Sequence, residues 1–208
     1  TTAAAAAIIT GASSNDRAGE SVDGGQDFDG DGVPDALIGA PYNDTGATNS
    51  GVAALFSGDG LSGSLSIDDA DALFSGTSSN DYAGTDVAFV GDVNDDGYAD
   101  VVVGVPYSDE GASNAGLAAL VYGSSTPGDL DLSSADATWS GVNASDYAGQ
   151  TVGALGDINA DGYADFAVGA YGHDGGGSGS GAMYIVRGGS LSGDGSLIDE
   201  VDLYGDAA

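Results

Sequence analysis

The stretch Asp92-Val93-Asn94-Asp95-Asp96-Gly97-Tyr98-Ala99-Asp100 decides how the rest of the chain is read. It occurs three times. The first copy is Asp27-Phe28-Asp29-Gly30-Asp31-Gly32-Val33-Pro34-Asp35, the third Asp157-Ile158-Asn159-Ala160-Asp161-Gly162-Tyr163-Ala164-Asp165. Oxygen-bearing side chains stand at positions 1, 3, 5 and 9, and Gly at position 6. Calcium takes about 6–8 hard oxygen ligands, and a Gly lets the chain turn sharply enough to aim them at one point. The pattern nominates three calcium sites: Asp27, Asp29, Asp31 and Asp35; Asp92, Asn94, Asp96 and Asp100; Asp157, Asn159, Asp161 and Asp165. The backbone carbonyls of Val33, Tyr98 and Tyr163, at position 7, complete each set. The alternative is an acidic turn that binds nothing, since Asp, Asn and Gly favour turns anyway. Three copies of one pattern weigh against it.

An EF-hand would need a bidentate Glu at position 12 and a helix after the loop. Position 12 is Ile38, Val103 or Val168, and the loop runs directly into strand material such as Asp100-Val101-Val102-Val103-Gly104-Val105. The loop is therefore expected inside a β-hairpin. The copies begin at residues 27, 92 and 157, a period of 65 that runs through the whole chain without a gap. Gly11, Gly76 and Gly141 fall in phase; so do Asp16, Asp81 and Asp146, and Gly39, Gly104 and Gly169. Ile9, Phe74, Trp139 and Tyr204 share one apolar position. A long fixed period marks a repeat architecture.

Each repeat reads as four antiparallel strands: A (as in Thr85–Val90), the acidic loop, B (Ala99–Val105), C (Gly116–Tyr122) and D (Ala135–Ser140). Strand B is apolar nearly throughout, as a strand buried on both faces should be. The Gly-, Ser- and Asp-rich stretch Gly123–Ser134 reads as a loop. The register also puts the Ala-rich segment before Ile8-Ile9 on a D strand, despite the helix propensity of alanine. One domain over residues 1–208 is expected: an extra N-terminal strand at 1–10, then repeats at 11–75, 76–140 and 141–208. Four-stranded antiparallel repeats in radial array make an all-β protein of β-propeller-type blades.

Composition limits the function. The chain has 208 residues with 33 Asp and Glu against 2 Lys and Arg, a formal net charge of −31. Nucleic acids and anionic membranes require basic patches, so the charge argues against both as partners. Three divalent ions offset only a fraction of the charge, and screening at molar salt acts within about 3 Å. These charges suit a saline or calcium-rich setting. There is no cysteine, hence neither disulfide framework nor thiol chemistry. Calcium loops of this kind suit an extracellular or cell-surface location. No apolar run approaches the roughly 20 residues that span a bilayer. Without an initiator Met or a visible signal peptide, the chain is expected to be a processed product or an excised segment.

The loop followed by Gly39-Ala40-Pro41, and again by Gly104-Val105-Pro106, resembles the FG-GAP repeat of integrin α-subunit propellers and of many bacterial extracellular proteins. The resemblance covers essentially the whole chain as three repeats. The family's Phe-Gly pair stands here as Ala18-Gly19, Ala83-Gly84 and Ala148-Gly149, and the third Gly-Ala-Pro reads Gly169-Ala170-Tyr171. The resemblance implies a seven-bladed ring, calcium in the A–B hairpins, and roles in adhesion and protein contact.

The loops opposite the calcium hairpins gather Asp16, Asp81, Asp146, Asp44, Asp109 and Asp174 with Tyr42, Tyr82, Tyr107 and Tyr147. An acidic, tyrosine-lined face can take a protein or glycan, since Tyr offers area with a polar tip. Equally, each Asp can fix its own turn through backbone amides. Catalysis has little support. His173 is the only histidine, a loop residue whose counterparts are Asn43 and Ser108, and Lys and Cys are absent. The leading expectation is a non-enzymatic, calcium-stabilised extracellular protein that assembles head to tail through its blade flanks and N-terminal strand. The second is an adhesion module that uses the Asp/Tyr face.

Overall fold

The computed structural model describes residues 6–197, and all its helix lies in three 3-10 turns at Gly58–Gly60, Ile67–Asp69 and Leu132–Ser134. The strands, in chain order, are β1 (Ala7–Thr10), β2 (Val22–Gly24), β3 (Ala36–Ala40), β4 (Val52–Phe56), β5 (Gly63–Ser66), β6 (Ala72–Ser75), β7 (Val87–Gly91) and β8 (Asp100–Val105). They continue as β9 (Leu117–Val121), β10 (Leu130–Asp131), β11 (Ala137–Ser140), β12 (Ala148–Gly156), β13 (Asp165–Ala170), β14 (Ala182–Val186) and β15 (Gly193–Ser196).

The expected A, B, C and D strands are present as β2, β3, β4 and β6 in the first repeat and as β7, β8, β9 and β11 in the second. The third repeat shows β12, β13 and β14; the outer strand expected around Leu203 and Tyr204 lies outside the described residues. β8 is buried at all six positions, which a run of β-branched residues with no polar face requires. The sheets stand in chain order and do not close on themselves.

The structure corrects the four-strand reading in one respect. The stretch between C and D is not all loop. Its residues Leu130–Asp131 form β10, which pairs in parallel with β6 of the preceding repeat. β15 pairs with β11, and β5 with β1, in the same way and the same register: Phe74↔Leu130, Trp139↔Gly195 and Ile9↔Leu65. Each repeat thus returns a short strand to the outer edge of the one before it. A two-residue strand bounded by Pro127, Gly128 and polar residues carries no hydrophobic period, so its sequence reads as loop.

The core lies between sheets. Phe28, Leu37, Leu55 and Phe74 of the first repeat pack on Val87, Phe89, Val103 and Leu117 of the second. Val90, Val102 and Leu120 pack on Phe166, Val168 and Val186 of the third, with Trp139 edge-on to Phe166 at 5.3 Å. A three-repeat array has two outer flanks, and the first is covered. There Val52, Ala54 and Phe56 are buried in a third cluster that includes Ile9 of β1 and Leu65 of β5.

Close backbone approach locks neighbouring repeats together. A Cβ on Gly39 would overlap the carbonyl oxygen of Gly84, and one on Gly104 that of Gly149. The Ala83 N–H donates to the Ser50 carbonyl of the preceding repeat, and the Ala148 N–H to the Ala115 carbonyl, both at 2.8 Å. Gly84 has φ +77° and Gly149 φ +78°, where a side chain is strained. The glycine of the Gly-Ala-Pro segment is therefore dictated by the glycine turn that opens the next repeat.

Candidate functional site

All three acidic loops close by the same hydrogen bonds. The position-1 carboxylate (Asp27, Asp92 or Asp157) accepts the position-6 N–H of Gly32, Gly97 or Gly162 at 2.9, 2.8 and 2.9 Å. The position-3 oxygen of Asp29, Asn94 or Asn159 accepts the N–H of position 5 at 3.1, 3.0 and 3.1 Å. The position-5 carboxylate accepts the N–H of position 7, where Val33, Tyr98 and Tyr163 stand. Position 6 is left-handed in every copy, which glycine allows without strain. Position 4 is left-handed too, filled by Gly30, Asp95 and Ala160. That second reversal gives no residue signal, since only one copy carries Gly there.

The structure separates position 9 from the others. Asp35, Asp100 and Asp165 are buried, whereas positions 1, 3 and 5 are partly or fully exposed. One oxygen of each position-9 carboxylate accepts the position-2 N–H of Phe28, Val93 or Ile158 at 2.7, 2.8 and 2.9 Å. The other accepts the N–H of Gly58, Gly123 or Gly188, just beyond the third strand, at 3.0, 2.8 and 2.9 Å. These aspartates pin the hairpin to the sheet. A carboxylate oxygen has two lone pairs, so this leaves capacity for a cation.

The charges in the loop repel. Burial pushes the Asp100 carboxyl up to about 7, the charges of Asp96 and Asp92 add to the rise, and the Gly123 and Val93 N–H groups oppose it. Asp35 is raised by burial in the same way, with Asp29 and Asp27 contributing. In the first loop, one oxygen each from Asp27, Asp29 and Asp35 lies within 4.8 Å of the others. All side-chain donors at the loop positions are hard oxygens, which fits calcium and not a soft metal. The loops also form a row: the Ala99 N–H donates to the Asp27 carbonyl and the Ala164 N–H to the Asp92 carbonyl, both at 3.0 Å.

On the opposite loops the four nominated tyrosines come together. Ring centroids of Tyr42 and Tyr82 are 4.9 Å apart, Tyr82 and Tyr107 5.2 Å, and Tyr107 and Tyr147 5.3 Å. Two members escape the sequence reading. Tyr171 stacks on Tyr147 at 5.0 Å, and the Arg17 guanidinium lies 3.9 Å from the Tyr42 ring centre. Tyr171 occupies the place of Pro41 and Pro106, one residue out of phase with Tyr42 and Tyr107, so the period hides it.

The nominated aspartates of this face mostly brace turns. Asp16 accepts the Ser13 N–H at 2.7 Å and the Asn43 amide at 3.2 Å; Asp146 accepts the Asn143 N–H at 2.8 Å. Asp44, Asp109 and Asp174 accept the N–H groups of Asn49, Asn114 and Gly179. Asp81 differs: it is half-buried in a cleft of ≈ 230 Å³ shared with Ser108, Asp109 and Glu110, and its carboxyl rises to about 6. His173 lies in the loop after β13, as its sequence suggests. It is buried, with Nδ1 3.5 Å from Asp146 and 3.4 Å from the Tyr184 hydroxyl. It occupies the position of Asn43, whose amide braces Asp16, and serves the same turn.

A family model of the FG-GAP repeat matches residues 18–56, 83–121 and 148–186. The chain belongs to the FG-GAP repeat family. Each match starts at an Ala-Gly turn, which in the second and third copies abuts the preceding repeat, and ends with the third strand. The comparison with curated proteins gives no match.

Proposed function

We propose that this FG-GAP protein is a non-enzymatic, extracellular, calcium-binding array of propeller-type blades with a structural, self-assembling role. One observation carries the calcium reading: three loops of different sequence hold oxygens at positions 1, 3 and 5 in one hydrogen-bonded geometry, with the buried Asp of position 9 behind them. Backbone closure alone does not require side-chain oxygens at three exposed positions of every copy, with a carboxylate at positions 1 and 5 each time; a divalent cation does. Asp27, Asp29 and Asp31, Asp92, Asn94 and Asp96, and Asp157, Asn159 and Asp161 would supply side-chain oxygens. Asp35, Asp100 and Asp165 would add their spare lone pairs, and Val33, Tyr98 and Tyr163 their carbonyls. The ion would neutralise the charge each loop concentrates. FG-GAP repeats are typically parts of extracellular proteins, and among the described residues no helix is long and apolar enough to cross a membrane. Titration calorimetry of chelator-stripped protein with calcium is the test. Saturable binding at three sites is expected, reduced to two by Asp96→Ala; an absence of binding heat and an unchanged melting curve in EDTA would overturn the assignment.

The tyrosine ladder favours a second reading, recognition of a protein or glycan. Tyr107 and Tyr171 remain exposed within it, and the acidic cleft of Asp81 lies close by. Such a face offers stacking area beside hydrogen-bonding groups. A glycan array probed with the native chain and with Tyr107→Ala tests it: loss of a reproducible hit in the variant supports the reading, and no hit at all removes glycans from it.

A further inference from the structure

The two junctions inside the chain serve as templates for a third. At each, the outer strand of one repeat lies beside its own third strand and is bracketed by the returning strand of the next. β1 and β5 form the outer half of such a junction: β1 pairs with β5 as β6 does with β10, and its other edge carries no strand among the described residues. β14 forms the inner half, paired with β13 and bare on its outer edge among the described residues. We infer that β1 of one molecule adds to β14 of another, so that the third repeat of one chain abuts the first repeat of the next. The inference rests on the self-assembly reading above and gives it a register.

That register is set by the internal pairs. Phe74 faces Ala53 and Trp139 faces Ala118, while Ser75 faces Val52 and Ser140 faces Leu117. Shifted by the period, Ile9 faces Met183 and Thr10 faces Ala182. The faces fit as well. Val22, exposed at 65%, corresponds to Val87, which the preceding repeat covers to 4%. Opposite it, Ile158 and Ile185 stand exposed where Val93 and Leu120 are buried. The inner strands repeat the pattern. The Val87 N–H donates to Ser21 and the Val152 N–H to Asp86; Thr151 is the oxygen that stands ready for the Val22 N–H of the next chain.

Residues 202–205 are the other segment in phase with this strand position. They could fill one edge, but not supply the facing sheet that covers Ile158, Met183 and Ile185. A second first repeat supplies both. The joint lacks one internal bond, because Pro34 replaces the Ala99 and Ala164 N–H that donate to the preceding loop. It is therefore weaker than the internal junctions and depends on concentration, and at this net charge it depends on salt as well.

The test is oxidative cross-linking of the otherwise cysteine-free chain in calcium and high salt. Thr10→Cys and Ala182→Cys are placed on chains carrying different tags, as are Ile9→Cys and Met183→Cys. Adjacent antiparallel pairs alternate between about 5.5 and 4.5 Å in Cα separation, so one of the two has the closer spacing. A disulfide between tags at one of these pairs, and none for Thr10→Cys with Ile185→Cys, is the expected result. Ile185→Asp should abolish association in light scattering without altering the monomer's circular dichroism. Association without the in-register link overturns the joint and leaves self-assembly standing. A link within one chain between Ala182→Cys and Gly205→Cys overturns it in favour of the chain's own tail. A chain that stays monomeric at high concentration removes the self-assembly reading too, while the calorimetric calcium result stands apart.

Discussion

β9 and β14 are the same strand of successive repeats, and water treats them differently. Leu117-Ala118-Ala119-Leu120-Val121 is buried at every position, whereas Ala182-Met183-Tyr184-Ile185-Val186 alternates. Ala118 and Leu120 are 0% exposed; Met183 and Ile185 are 64% and 50% exposed. Both strands are apolar on both faces. The repeat dictates composition, and the next repeat supplies burial. Ala53 and Ala118 let the adjacent sheet come close, while Met183 brings a longer, adaptable side chain to the same place. The open face is thus apolar without copying the closed one.

The sharpest way to break this comparison is to put a charge on each strand. Leu120→Asp would bury an unpaired carboxylate between two sheets, a change that costs more than about 4 kcal/mol and should prevent cooperative folding. Ile185→Asp at the matching position should alter the monomer's stability by less than about 0.5 kcal/mol, as surface substitutions do. Urea denaturation followed by tryptophan fluorescence reads both, since Trp139 sits at the second junction. Equal losses at the two sites would mean that the third repeat's outer face is covered in solution.

Calcium removal comes next, because the proposed sites lie in all three repeats. A ligand that binds only the folded state adds about 2.7 kcal/mol per site at a hundredfold excess over Kd. EDTA should lower the melting temperature accordingly. Asp161→Ala, in the repeat with one neighbour, should unfold less of the molecule than Asp96→Ala in the middle repeat, whose loop is tied to both others. Hydrogen exchange resolved by repeat checks this, and identical patterns for the two variants would show that the row of loops is not coupled.

Much of this architecture is legible in the residues. The period, the hairpin position of the loops and the buried B strands can be read from Gly, Asp and apolar spacing, because each has a local cause. The returning strands are hidden because their partner lies in another repeat, and so is the bracing role of His173, whose counterparts are Asn43 and Ser108. At the candidate site, the oxygens at positions 1, 3 and 5 could be named from sequence. The double duty of position 9 could not, since burial separates Asp100 from Asp96 and an alternating run of acids does not show burial. The Arg17 end of the tyrosine ladder depends on turn geometry of the same non-local kind.

Two glycines of one phase compare closed and open sides again, with a smaller effect. A Cβ at Gly104 meets the backbone carbonyl of Gly149, whereas at Gly169 it meets the Thr151 hydroxyl, the end of a side chain. Gly104→Ala should therefore cost about 1–3 kcal/mol by overpacking, and Gly169→Ala less, since Thr151 can change rotamer. Chemical denaturation of the two variants decides, and equal costs would place a rigid neighbour beside the third repeat.

The smallest effect compares Asp81 with its counterpart Asp16, which is braced by a backbone N–H and an amide. Burial raises the Asp81 carboxyl to about 6, the neighbouring Asp109 charge adds to the rise and Glu110 a little more, against the Ser78 hydroxyl. An unfolded aspartate titrates near 3.9, so between about pH 4 and 6 the folded state holds the extra proton. The stability this group contributes is complete below about pH 4 and is lost as pH rises through 6. Thermal melts in saturating calcium should show that loss in the native chain and a smaller one in Asp81→Asn, whose neutral amide needs no proton. Asp109→Asn removes the second cause and should move the midpoint of the loss below pH 6. If native chain and Asp81→Asn change in parallel across this window, the cleft is better hydrated than its walls indicate, and the pH dependence belongs to the acidic loops instead.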